Sequence, residues 1–385
     1  MHRRDFIKAV SALPLVLPAA GASAQAPASP YRNLLVLVEL KGGNDGLNTV
    51  VPYADETYYA LRPRLAIVRD QVLQLDERAG LHPGLEPLLS LWQAGELAVV
   101  QGLGYPSPNL SHFRSIEIWD TASKADQYLE EGWLTRTFRH APVPRAFAAD
   151  GIVIGAHDLG PLAGVGPRVI ALADTERFLQ QARLAAPREQ TGNAALRHLM
   201  RVEHDIVQAA QRLNTGHVLA TEFPRTGFGA AIRTAAQVVA ARAGVATVKV
   251  SLNGFDTHSN QAATHARLLQ ALAQGLIALK QALVELGRWE TTLVMTYAEF
   301  GRRPRQNLSG GTDHGTAAVH FVAGGRVKGG LYGPLPALDR LDGNGNLPFA
   351  VDFRELYATV LERWWGVDSA AALNGRFRPL DLIRV

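Results

Sequence analysis

Thr291-Thr292-Leu293-Val294-Met295-Thr296-Tyr297-Ala298-Glu299-Phe300-Gly301 is a short β-rich run that ends in a carboxylate and a glycine. A polar loop follows, then Gly310-Gly311-Thr312-Asp313-His314-Gly315, and then an apolar run over residues 319–323 that reads as the next strand. Acid and imidazole therefore both fall where strands give way to loops. In an open α/β sheet that border is where ligands bind. Asp and His together are also the side chains of metal sites.

The same pattern recurs upstream. Residues 33–40 are apolar on both faces, as a central parallel strand requires, and end in Gly42-Gly43-Asn44-Asp45-Gly46, which leaves Asp45 at the strand's carboxyl end. Residues 97–103 form a second buried strand whose loop leads to Ser111-His112-Phe113. The helix spacing of Phe113, Ile116 and Trp119 starts directly after Ser111, so its hydroxyl lies at a helix N-terminus. Such a serine is commonly an N-cap, yet the free N–H groups there also favour an anionic phosphoryl or sulfuryl group. Residues 246–252 make a third strand, followed by Gly254-Phe255-Asp256-Thr257-His258. Asp256 and His258 can reach one metal only from an irregular loop. A long helix then spans residues 259–286, with His265 read as a polar residue on its face.

The remaining segments carry less. Residues 65–75 read as an edge element and residues 83–93 as a Pro-bounded helix, with His82 ordering the turn before it. Residues 151–155 and 168–172 read as short strands. One or two helices are expected over residues 175–216, with His198 and His204 as structural or surface residues. Residues 226–244 form an Ala-rich helix, and residues 352–365 a last helix capped by Asp352, where Trp364-Trp365 closes the core.

Arg3-Arg4-Asp5-Phe6, the apolar residues 9–20 and Ala22-Ser23-Ala24 have the layout of a twin-arginine export signal cleaved after Ala24. The apolar run is too short and Pro-broken to span a bilayer, and no later stretch is long enough. Export predicts a periplasmic or secreted protein that folds before transport, with the twin-arginine machinery as a partner. A formal charge of +4 over 385 residues gives no case for nucleic acid. With no cysteine, any metal must be held by oxygen and nitrogen. At 47% hydrophobic residues the chain can bury a large core, and residues 31–385 are expected to form one α/β domain, a mostly parallel sheet with helices on both faces.

These motifs, with Glu299-Phe300-Gly301-Arg302 and Asp352-Phe353-Arg354, resemble the bacterial twin-arginine-exported family called domain of unknown function 1501. That family is in turn similar to the alkaline phosphatase and sulfatase superfamily. The resemblance implies an alkaline-phosphatase-like fold, with Asp45, Ser111, Asp256 with His258, Glu299 and His314 carried over as metal-binding and nucleophilic positions. Glu299-Phe300-Gly301 stands where the superfamily has Asp-His-Gly, so one imidazole is absent, and Asp313 is the residue that could compensate. The Asp256 to His258 spacing is also shorter than in the superfamily.

The expected function is metal-dependent hydrolysis of a small phosphate or sulfate ester. Ser111 is the expected nucleophile and His112 the catalytic residue beside it, with Asn44 and Arg302 contacting the anion. Asp45, Asp256, His258, Glu299, Asp313 and His314 are the expected ligands of one or two divalent ions, zinc or manganese. The alternative is a catalytically inactive periplasmic binding or assembly protein that keeps the fold.

Overall fold

The computed structural model describes residues 29–172 and 217–384. The export signal, the helices expected over residues 175–216, His198 and His204 lie outside those residues.

Among the described residues nine runs form one sheet: β1 (Leu34–Lys41), β2 (Leu97–Gly104), β3 (Ala149–Ile154), β4 (Val169–Leu172), β5 (Val245–Asn253), β6 (Thr292–Tyr297), β7 (Ala318–Ala323), β8 (Gly330–Tyr332) and β9 (Val351–Asp352). Their order is β8-β2-β7-β6-β1-β5-β3-β4, with β9 beside β2. β1 runs parallel to both β5 and β6, setting Leu37 level with Lys249 and Met295. β3 is parallel to β4 and β5, and β8 and β9 are parallel to β2. The exception is β7, antiparallel to β2 and β6. Its reversal has a functional consequence, because an antiparallel strand begins on the edge where its parallel neighbours end. The loop that carries Asp313 and His314 therefore reaches the same edge as the loops after β1, β2, β5 and β6.

β1 is apolar on both faces because both are covered. Val36, Val38 and Leu40 pack into one buried cluster with Phe228 and Ile232 of one helix and Leu269, Leu272 and Leu276 of another. Leu35 and Leu37 pack into a second cluster with Ile118, Trp119, Leu356 and Tyr357. The helices concerned are α1 (His112–Thr121), α2 (Gly227–Ala240), α3 (Gln261–Glu285) and α4 (Phe353–Ala358). Asp352 caps α4 by accepting the Arg354 N–H at 3.0 Å. The indoles of Trp364 and Trp365 donate to the Leu34 and Asn33 carbonyls at 3.1 and 2.8 Å, tying the end of the chain to the start of β1.

Two expected elements differ. The last helix turns from α to π winding over Thr359–Trp364. There the Thr359 hydroxyl donates to the Glu355 carbonyl at 2.7 Å, taking a helical acceptor for a side chain. Residues 65–75 do not join the main sheet. The polar Arg69–Gln71 stretch winds into a 3-10 turn, and only Leu73–Gln74 pairs, with Gly80–Leu81, in a separate three-stranded sheet. Among the described residues no helix is long and apolar enough to cross a membrane.

Candidate metal centre

The loop after β1 turns through Gly42, whose φ of 115° and absent side chain are both required. A Cβ there would stand 2.3 Å from the Asp256 amide nitrogen. This contact brings the loops after β1 and β5 together. Gly311 does the same for the loop before β7, since a Cβ on it would lie 2.3 Å from the His258 carbonyl carbon. The loops are then pinned by Arg302, which is fully buried. Its guanidinium donates to the carbonyls of Gly43 (2.8 Å), Thr312 (3.0 Å), Phe255 (3.0 Å) and Gly42, and to Asp256 Oδ1 (2.6 Å).

Around the Asp256 carboxylate stand three imidazoles. His258 Nε2 lies 3.1 Å and His314 Nε2 3.3 Å from Oδ1, and His112 Nε2 lies 3.3 Å from Oδ2. The Nε2 atoms of His258 and His314 are 2.9 Å apart. His112, Asp256 and His314 each offer one ligand atom, all within 4.8 Å of one another. The outer nitrogens face oxygens: His112 Nδ1 is 2.8 Å from Glu299 Oε1, His314 Nδ1 is 2.8 Å from the Leu110 carbonyl, and His258 Nδ1 is 3.5 Å from Asp313 Oδ1.

The tautomers follow from those partners. A carboxylate and a carbonyl can only accept, so Nδ1 of His112 and of His314 carries a proton, and the neutral form of His314 turns its Nε2 lone pair inward. Burial holds the His314 pKa below its ordinary value, which keeps it in that neutral, metal-ligating form. Asp256 is pushed up by burial, but the hydrogen bond and charge of Arg302 outweigh this and keep its pKa below the usual carboxylate range. The His314 lone pair thus faces a carboxylate oxygen, an arrangement that repels itself unless a proton or a metal ion sits between them. Apart from its approach to Asp256 Oδ2, the buried His112 Nε2 has no hydrogen-bond partner among the described residues. Two nitrogens and one oxygen, with His258 Nε2 beside them, are a donor set that fits zinc better than calcium or magnesium. An Nδ1 held by oxygen is the supporting contact that metal-ligating histidines characteristically have.

The expected site residues divide. Asp256, His258 and His314 come together, and His112 joins them as a candidate ligand. Glu299, expected as a ligand, instead orients His112 from behind and accepts the Gly42 N–H with both oxygens, at 2.9 and 3.1 Å. Asp313 stands behind His258 and accepts from Asn307 at 3.2 Å. Arg302 has its donors committed to the loops, so it is unavailable to a substrate anion. Asn44 is buried and bonded to Thr49 and, at 2.8 Å, to His265 Nε2, which takes it out of substrate contact.

Asp45 is the clearest correction. It is fully buried, with Oδ2 and Oδ1 held by Arg62 at 2.6 and 2.9 Å and Oδ2 also held by the Gln261 carboxamide. Burial pushes its pKa up, and the Arg62 charge and hydrogen bond bring it below the ordinary value. Neither oxygen is free for an ion. Ser111 is exposed at the start of α1, and its hydroxyl makes no capping bond. Phe300 supplies an apolar wall, its ring 4.9 Å from that of His112 and 4.5 Å from that of His314.

Fold and site together define a mixed, mostly parallel α/β protein with a carboxylate ringed by imidazoles at the carboxyl edge of its sheet. The chain belongs to the family described as protein of unknown function (DUF1501), whose profile matches residues 97–376. No curated protein matches it. Among solved structures it is similar to the phosphonate monoester hydrolase of Silicibacter pomeroyi, at 12% identity and a TM-score of 0.42 over 90% of this chain and 75% of that one. It is also similar to a sulfatase of Pseudoalteromonas, at 11% identity and a TM-score of 0.41 over 91% of this chain and 70% of that one. The alkaline phosphatase of the Antarctic bacterium TAB5 matches at 10% identity and a TM-score of 0.34, over 76% of this chain and 91% of that one.

Proposed function

We propose that the chain is exported by the twin-arginine route and hydrolyses a phosphate or sulfate ester outside the cytoplasm, using one divalent ion, zinc or manganese. The observation that carries this reading is the convergence of three imidazole Nε2 atoms on the Asp256 carboxylate. His112, Asp256, His258 and His314 would hold the ion, which supplies Lewis acidity toward an ester oxygen when bound. Glu299 and the Leu110 carbonyl fix the rings of His112 and His314, and Arg302 fixes Asp256. Ser111, next in sequence to His112, presents an uncapped hydroxyl for attack on phosphorus or sulfur. The first N–H groups of α1 have no intrahelical partner and suit the anionic group beside it.

A second reading, an ion-holding protein without turnover, is favoured by one observation: Arg62 holds both oxygens of Asp45, which takes that carboxylate away from a second ion. Screening zinc- and manganese-loaded protein against 4-nitrophenyl phosphate and sulfate separates the two. Hydrolysis that disappears in Ser111→Asn, with stability within about 1 kcal/mol of wild type, supports the esterase, because the exposed Ser111 hydroxyl makes no capping bond whose loss could destabilise α1. An ion bound without turnover of either ester supports the holder. Undiminished hydrolysis by the variant removes Ser111 from the mechanism.

A further inference from the structure

A second cavity, of about 300 Å³, opens at the opposite edge of the sheet, where β1 and β5 begin. β1 has eight residues, so the cavity lies roughly 25 Å from the metal centre. Its walls are partly apolar, with Tyr31, Phe147 and Val239, and its charged groups are Arg32, Arg242 and Arg288. The described lining contains no carboxylate. Arg288 donates Nε to Thr291 Oγ1 at 2.9 Å and one terminal nitrogen to the Arg32 carbonyl at 3.2 Å, and its other terminal nitrogen has no partner among the described residues. The side chains of Arg32 and Arg242 are exposed and, among the described residues, have neither hydrogen bond nor ion pair. Asp150, the carboxylate that acts on Tyr31, is itself clamped by Arg168 at 2.5 Å.

Arg242 and Arg288 follow the C-termini of α2 and α3, and the helix dipoles attract each cation separately. That accounts for each position alone. It does not account for three like charges around an open hollow, whose mutual repulsion an anion would relieve. Guanidinium groups bind phosphate and carboxylate groups through paired N–H donors, and the aromatic and aliphatic wall suits the organic part of such a ligand.

We infer that this cavity binds a small organic anion, a phosphoryl or carboxylate group joined to an apolar body, independently of the metal centre. The test is calorimetric titration of phenylphosphonate into chelator-treated full-length protein. Saturable binding of one molecule per chain is expected, weakened at least tenfold in Arg242→Ser and in Arg32→Ser, unchanged in His258→Ala, and reduced by added salt. Both arginine side chains are exposed and, among the described residues, unbonded, so the variants are expected to melt as wild type does. The inference is overturned by absence of saturable binding, by equal binding to the arginine variants, or by benzyl alcohol binding as tightly as phenylphosphonate.

Discussion

Asp45 and Asp256 stand after neighbouring parallel strands, each introduced by glycine, and meet opposite fates. Asp45 has no exposed surface and is held by a guanidinium, while Asp256 is 46% exposed and held open by one guanidinium on one side and three imidazoles on the others. A carboxylate at a strand's carboxyl end is therefore not a ligand by position. Its partners differ: an arginine that satisfies both oxygens makes Asp45 part of the scaffold, and the imidazoles around Asp256 leave it open to the candidate centre.

The comparison breaks most sharply at Arg62. Arg62→Met removes the partner of a fully buried carboxylate and the bonds from Arg62 to the Pro304 and Arg303 carbonyls. The expected loss is about 3–5 kcal/mol in urea unfolding, the usual cost of leaving a buried charge uncompensated. A loss under about 1 kcal/mol would mean that Asp45 is not a structural ion pair.

The buried side of the comparison also predicts acid sensitivity. Burial holds the imidazole of His265, bonded to Asn44 beside Asp45, at a pKa of about 4 against an ordinary 6.5. As pH falls the unfolded chain takes up this proton first, so the contribution is whole above about pH 6.5 and is lost between about 6.5 and 4. That one group is worth about 3 kcal/mol, and His320, held at about 3, acts in the same direction. Urea midpoints measured at several pH values check it: a midpoint that stays level from pH 7 to pH 4.5 contradicts the burial of His265.

Glu299 sharpens the open side. It touches the centre only through His112 Nδ1, so Glu299→Gln should weaken ion binding by about 10- to 100-fold without changing how many ions bind, as loss of a supporting contact does. Loss of an ion from the count would instead make Glu299 a ligand.

Much of the fold was legible because β1 is apolar on both faces and the helix over residues 261–285 carries a clear period, both local properties. The edge on which the chemistry gathers was legible too, since Glu299, His258 and Asp45 each follow a strand. What sequence could not supply was the partner of each group. Arg62 lies 17 residues after Asp45 in an unremarkable Leu-Arg-Pro turn, and its choice of Asp45 is made by tertiary packing. His112 was marked through Ser111, yet its ring is aimed by Glu299, 187 residues away. A buried arginine such as Arg302 looks the same in sequence as one that waits for an anion. The signal that could have separated them is the count of neighbouring loop carbonyls, which only the fold provides.

We propose that Asp256 with His112, His258 and His314 holds a divalent ion and that Asp45 does not. Competition titration of zinc against a chromophoric chelator tests it directly, on wild type and His258→Ala. The account predicts one ion per chain in wild type and binding at least about a hundredfold weaker in the variant, whose lost side chain is exposed enough to leave the fold intact. Zinc that fails to bind wild type, or binds His258→Ala equally well, would contradict it.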